Sequence, residues 1–280
     1  MHFDRRRFVT VTAGGVVASA FLPPLRASEP ELAPFKAVAF DAFPIFDPRP
    51  VAGLAEKLFP GKGAELSNAW RTRQFEYQWL RCLSGHYADF QHTTEDGLVF
   101  AAKLLRLDLT PEKRERLLHA YLELGAWPDA PAALASLKET GIRLAFLSNM
   151  TAAMLDAGIQ NAGLGGLFEH VLSTDRIGAY KPDPRAYQMA IDAFGLEREE
   201  ILFVAFAGWD AAGAKWFGYP TFWVNRLDLP AEEMGVTADG EGRDLADLVS
   251  FVKSPPQVRS DAHSSGASPS RAARNGPAGT

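Results

Sequence analysis

Ala37-Val38-Ala39-Phe40-Asp41 is a short apolar run closed by a carboxylate. Three further apolar runs end in the same manner, at Ser148-Asn149, ahead of Tyr180-Lys181, and ahead of Asp210. If such runs are strands of an open parallel sheet, ligands bind outside their carboxyl ends, and residues far apart in sequence converge there. A carboxylate, a hydroxyl, a lysine and a second carboxylate would then share one crevice.

The chain around these runs is organised accordingly. From about Pro48 to Gly125 the periodicity is helical throughout, over Val51 to Phe59, Leu66 to Leu83, Thr94 to Leu105 and Pro111 to Leu124. Thr110-Pro111 is a helix start, with a capping hydroxyl and a proline in the first turn. From Pro128 onward strands and helices alternate. Strands are expected over Ile142 to Leu147, His170 to Ser173, Ile201 to Phe206 and Thr221 to Val224. Helices are expected over Pro131 to Thr140, Ala152 to Ala162, Pro184 to Phe194 and Ala211 to Phe217. The reading is a doubly wound α/β core, 35–47 and 126–252, with an inserted all-helical cap, 48–125.

Asp41 is the candidate nucleophile. The chain has no Gly-x-Ser-x-Gly elbow, no Gly-x-x-x-x-Gly-Lys phosphate loop and no His-Glu-x-x-His helix, and its six histidines are scattered singly. Attack by an aspartate oxygen makes an ester that water can open, dividing one difficult displacement into two easier steps. Lys181 would act as the counter-ion of Asp41, and Asp210 would hold that lysine and guide the water. Taken singly these residues are ordinary: an aspartate after a strand is usually a turn or cap, and a lysine before proline is usually solvated.

Together, Asp41-Ala-Phe-Pro-Ile-Phe-Asp47, Ser148-Asn149, Lys181-Pro-Asp-Pro and Trp209-Asp210-Ala-Ala-Gly-Ala resemble the haloacid dehalogenase superfamily. The stretch from Trp70 to Arg81 and the later Tyr87-Ala88-Asp89-Phe90 resemble the helical cap of the type II L-2-haloacid dehalogenases. The resemblance runs from about Phe35 to about Phe251. It implies hydrolysis of a short 2-haloacid through an aspartyl ester, with Asp41, Lys181 and Asp210 catalytic. It makes Ser148 a partner of the substrate carboxylate, and Arg71 and Asn149 acceptors of the halide. Phe43, Phe75, Phe90 and Trp209 become pocket walls, and Tyr187 a tyrosine supporting the site. Arg73 and Arg81 are expected at the surface. Homodimers are common in the family, so a homodimer is expected.

Superfamily phosphatases carry a second aspartate two positions after the nucleophile and hold magnesium with clustered carboxylates. Position 43 is phenylalanine. The expectation is therefore no metal and no cofactor. Three departures bear on rate: Pro44-Ile45 stands in place of Gly-Thr, and Ala205 and Ala207 in place of a serine and an asparagine. Losing one preorganised donor of this kind costs on the order of 10² to 10³ in rate. Two other readings stay open: a superfamily hydrolase of another small carboxylate or phosphate ester, and an exported carboxylate-binding protein of low turnover.

Composition agrees with an ordinary globular enzyme. A chain of 280 residues, 47% hydrophobic, can bury a large core. A formal charge of −5 without a basic stripe argues against a nucleic-acid partner. The single cysteine, Cys82, excludes an intrachain disulfide and is expected as a buried structural thiol. Asp4-Arg5-Arg6-Arg7-Phe8-Val9 resembles a twin-arginine export signal, and the apolar run behind it is broken by Gly14-Gly15 and Pro23-Pro24. Such a run is too weak to anchor in a membrane. Residues 1–27 are therefore expected to direct export, with the enzyme remaining in the cytoplasm if the signal is unused. Residues 255–280, rich in Ser, Pro, Gly, Ala and Arg, are expected as a disordered tail.

Overall fold

The computed structural model describes residues 35–254; the expected export segment and tail lie outside them. The first strand, β1 (Ala37–Phe40), is followed by four helices before the next strand: α1 (Arg49–Leu58), α2 (Gly63–Leu83), α3 (Phe90–Leu104) and α4 (Pro111–His119). Then come α5 (Ala130–Glu139), β2 (Arg143–Ser148), α6 (Ala152–Asn161), β3 (His170–Ser173), α7 (Pro184–Phe194), β4 (Ile201–Ala205), α8 (Gly208–Phe217) and β5 (Thr221–Val224). A short β6 (Gly240–Gly242) and α9 (Leu245–Lys253) complete the described chain.

The six strands form one sheet in the order β3-β2-β1-β4-β5-β6, with every neighbouring pair parallel. β1 is therefore central, flanked by β2 and β4. Because successive strand residues point to opposite faces, Val38, Phe40, Leu144, Phe146, Leu202 and Val204 pack on one face with α5, α6 and α9. Ala37, Ala39, Ala145, Ile201 and Phe203 pack on the other with α7 and α8. Both faces are buried, so the strands read as unbroken apolar runs instead of alternating ones. Phe40 and Phe146 are fully buried, and truncating either to alanine would cost about 3–5 kcal/mol. The first cluster continues through Leu66, Trp70, Phe90 and Leu98, so the inserted helices share a core with the sheet.

Several boundaries differ from the sequence reading. α3 begins at Phe90, not Thr94, because Asp89 caps it by accepting from the His92 backbone N–H at 2.7 Å. α4 ends at His119 and a 3₁₀ turn covers Ala120–Leu122. α8 begins at Gly208, which places Asp210 inside its first turn and not in the loop before it. The sixth strand and last helix had no expectation, since β6 is three residues long and has glycine at both ends. Cys82 is half-buried, and burial pushes its thiol pKa up. Among the described residues, no helix is long and apolar enough to cross a membrane.

Candidate active site

Parallel pairing brings the strand ends together. β1 runs into Asp41, whose backbone N–H donates to the Val204 carbonyl at 2.9 Å and so extends the ladder with β4. The chain then turns sharply: the Phe43 N–H donates to Asp41 Oδ2 at 3.2 Å, and the Phe46 N–H to the Ala42 carbonyl at 2.8 Å. Pro44 fits this turn without a donor. Its carbonyl accepts from Arg226 Nη2 at 2.8 Å, and the Phe43 carbonyl accepts from Trp127 Nε1 at 3.0 Å. Arg226 is itself forked onto Asp129. Groups outside the loop thus hold the nucleophile turn in place.

Lys181 lies between two carboxylates. Its Nζ donates to Asp41 Oδ1 at 2.9 Å and to Asp210 Oδ2 at 2.6 Å. The Lys181 and Asp210 side chains are 1% and 2% exposed, whereas Asp41 keeps 12%, so of the three it is Asp41 that opens to the cavity. Burial opposes the ammonium charge, but Asp210 and Asp41 outweigh it and leave the Lys181 pKa above the usual lysine value. For Asp210, burial dominates; Lys181 pulls down, the Asp41 charge pushes up, and the carboxyl settles at about 6.

Tyr187 is fully buried on α7 and donates to Asp210 Oδ1 at 2.7 Å. A side chain at Gly213 would strike the Tyr187 hydroxyl at 2.5 Å, which is why α8 has glycine there. Tyr187 does not line the cavity; it supports Asp210 from behind. Asn149 Oδ1 accepts from the Lys181 backbone N–H at 3.0 Å and from Thr174 Oγ1 at 3.3 Å, which leaves its amide N–H groups for the cavity. Ser148 Oγ accepts from the Met150 N–H at 3.2 Å and keeps its own proton to donate.

These groups lie on the floor of a cavity of about 680 Å³ between the sheet and the inserted helices. Asp41, Ser148, Asn149 and Asp210 line it from below; Arg71 and Phe75 of α2 and Phe90 of α3 face them, with Phe43 and Trp209 also in the wall. Phe75 and Trp79 both meet Trp209 edge to face, at 5.3 and 5.4 Å. Trp79 Nε1 also donates to the Lys181 carbonyl at 3.2 Å, tying α2 to the floor. Arg71 is exposed and has no ion pair among the described residues; its charge falls on Tyr121, whose phenol burial raises to about 12. Arg73 stacks on Phe100 and Arg81 pairs with Asp96, both away from the cavity.

The sequence reading missed Trp79, Tyr121, Trp127 and Phe206 in the walls, and the segment from Asn225 to Glu232. Trp79 had a legible signal, because Arg71, Phe75 and Trp79 are spaced i, i+4, i+8 along one helix face. A second cavity, of about 420 Å³, lies against α3 and α4 and contains none of the convergent groups. No group of three His, Cys, Asp or Glu among the described residues is placed to hold a metal ion.

The haloacid dehalogenase-like hydrolase family model matches residues 35–218. The chain belongs to that family. It is 44% identical over 219 residues to an (S)-2-haloacid dehalogenase of Pseudomonas sp. (strain YL), covering 78% of this chain and 94% of the relative. A crystal structure of an L-2-haloacid dehalogenase, also 44% identical, superposes with a TM-score of 0.77 over 78% of this chain and 99% of that one. The L-2-haloacid dehalogenase of Xanthobacter autotrophicus with chloropropionic acid covalently bound superposes with a TM-score of 0.73 at 33% identity, covering 79% of this chain and 100% of that one. Within the dehalogenase-like fold, Ala205 is fully buried in β4 and Ala207 is the N-cap of α8, with no side-chain hydrogen bond to the helix.

Proposed function

We propose that the protein hydrolyses (S)-2-haloacids to (R)-2-hydroxyacids through an ester on Asp41. The observation that carries this reading is the Asp41 carboxylate facing the cavity, paired with a buried lysine that it shares with Asp210, with Phe43 where a phosphatase would need a second acid. An Asp41 oxygen attacks C2 from the side opposite the halogen. The carbon–halogen bond breaks with inversion, and the halide leaves toward Arg71 and the Asn149 amide. Ser148 binds the substrate carboxylate. Phe43, Phe75, Phe90 and Trp209 exclude bulk water, which strips the hydration shell from the nucleophile. Asp210 then takes a proton from water as it attacks the ester carbonyl. The acyl C–O bond breaks, the departing 2-oxygen takes up a proton, the Asp41 carboxylate is regenerated and the 2-hydroxyacid is released. The net products are hydroxyacid, halide and one proton. Every group named is supplied by this chain, and no cofactor or metal enters the scheme.

Halide release from (S)-2-chloropropionate, with chiral analysis of the lactate, tests the reading. (R)-lactate with stoichiometric halide is the expected result; magnesium-dependent phosphate release from p-nitrophenyl phosphate without halide release would replace it. Low turnover has its own support, since Ala205 and Ala207 bring no polar side chain to the water-handling side.

Three coarser features belong to the same proposal. The inserted segment, 48–125, acts as the cap and the remainder as the core. Export rests on Arg5-Arg6 and the weak apolar run behind them; cell fractionation of the chain and of Arg5→Lys/Arg6→Lys checks it, and equal retention of both in the cytoplasm would remove it. A homodimer is supported by the exposed Leu80 and Leu83 at the end of α2, which a second copy could cover; light scattering after size exclusion decides it.

A further inference from the structure

The cavity is larger than a short haloacid requires. Even at the ~30 Å³ that a water molecule occupies in the liquid, the six heavy atoms of 2-chloropropionate fill under about 180 Å³, against about 680 Å³ available. The surplus has a definite location. The chemistry gathers at the ends of β1, β2 and β4, but the cavity continues to the end of β5, where Asn225, Leu227 and Leu229 line it. With strands ~4.8 Å apart, that end lies roughly 10 Å from the nucleophile strand.

The character of this outer lobe is apolar. Phe43 and Phe206, ring centroids 6.0 Å apart, and Trp127 line the same cavity. Leu227 and Leu229 are 45% and 47% exposed beside it. Two arginines line the cavity. Arg49 is forked onto Asp47 with contacts of 2.7–3.0 Å and is neutralised, whereas Arg71 stands over the chemistry. The charged group in the lobe without an ion pair among the described residues is the carboxylate of Glu232. A second anionic group on the substrate would be repelled there.

We infer that the substrate class is 2-haloacids whose substituent at C2 is a bulky neutral aryl or branched alkyl group, seated in the lobe at the ends of β4 and β5. This rests on the dehalogenation reading. A single additional methylene in an apolar pocket is worth about 10- to 200-fold in kcat/KM, so a benzyl group should be favoured at least tenfold over methyl.

The test compares halide release from (S)-2-chloro-3-phenylpropionate and (S)-2-chloropropionate with the full chain and with Leu229→Trp. Leu229 is anchored through its backbone, its N–H donating to Asn225 Oδ1 and its carbonyl accepting from Asn225 Nδ2, so the larger side chain leaves those bonds intact. The expected result is a kcat/KM ratio of ten or more for the phenyl substrate, falling at least tenfold in Leu229→Trp. A ratio of one or less, or a ratio that Leu229→Trp leaves unchanged, would overturn the inference while leaving the reaction standing. If neither substrate releases halide, the reaction reading fails, and binding then decides the lobe. Tryptophan quenching by 3-phenyllactate at a Kd tenfold or more below that of lactate upholds it, and equal or weaker binding overturns it.

Discussion

Lys181 Nζ lies 2.9 Å from Asp41 Oδ1, joining two residues 140 positions apart in a contact of which the lysine is 1% exposed. The same Nζ donates to Asp210 Oδ2 at 2.6 Å, so one ammonium balances two carboxylates. Replacing Lys181 with methionine removes the shared counter-ion of those carboxylates. Breaking a buried pair from one side costs about 3–5 kcal/mol. The Asp210 carboxyl, which burial raises and Lys181 pulls down, would rise further without the ammonium, so the variant's folded state would bind a proton more tightly than its unfolded state. The loss should be full near pH 8 and shrink as pH falls toward 5. Urea unfolding at both pH values measures it; an equal loss at both would mean that the ammonium does not balance these charges.

Asp210 gives a pH prediction whose sign follows from Asp41. In the free enzyme the Asp41 charge is one of the causes that hold the Asp210 carboxyl at about 6. Esterification removes that charge, so the Asp210 pKa falls in the intermediate and the base is ionised when water attacks. The acid limb of kcat, which reports the bound state, should therefore lie below 6, while NMR titration of Asp210 in the free protein should give about 6. An acid limb of kcat at or above 6 would contradict this order of events.

Arg71 is exposed, so removing it should barely affect folding, within about 0.5 kcal/mol. Arg71→Ala should lower kcat/KM by about 10² to 10³, the usual cost of a lost charge-stabilising donor. Arg71→Lys should recover only part, since an ammonium lacks the planar fork. Steady-state kinetics with an unfolding curve checks both halves, and unchanged kcat/KM in Arg71→Ala would move the halide site elsewhere.

Much of this site was legible from where apolar runs stop. Asp41 and Ser148-Asn149 follow directly from strands, and parallel pairing brought them together as the ligand-binding rule for open sheets requires. What the sequence concealed was set by tertiary packing. Tyr187 belongs to a helix whose apolar spacing says only that it is buried; that its hydroxyl reaches Asp210 depends on Gly213 in a different helix. Trp127 and Arg226 hold the Phe43 and Pro44 carbonyls across long sequence separations, a relation that no local pattern encodes. The segment from Asn225 to Glu232 carries neither helical nor strand periodicity, so its place in the cavity wall could come only from the fold.

Ala207 offers a gain-of-function test. It is the N-cap of α8 in extended conformation, φ −94° and ψ 142°, with no side-chain cap. Ala207→Asn should stabilise the protein by about 0.5–2 kcal/mol through the new cap. It should also restore a polar group beside the ester and raise kcat at least tenfold with kcat/KM little changed, because halide displacement precedes the water step. Higher thermal stability with unchanged kcat would mean that ester opening is not limited by that group.

The central claim, that Asp41 attacks carbon, is tested most directly by one turnover in ¹⁸O water with enzyme in excess over (S)-2-chloropropionate. The account predicts that the heavy oxygen appears in the Asp41 carboxylate, located by peptide mass spectrometry, and that the first lactate formed is unlabelled. Label entering lactate on that first turnover, with the Asp41 peptide unchanged, would show that water attacks the substrate itself and would contradict the account.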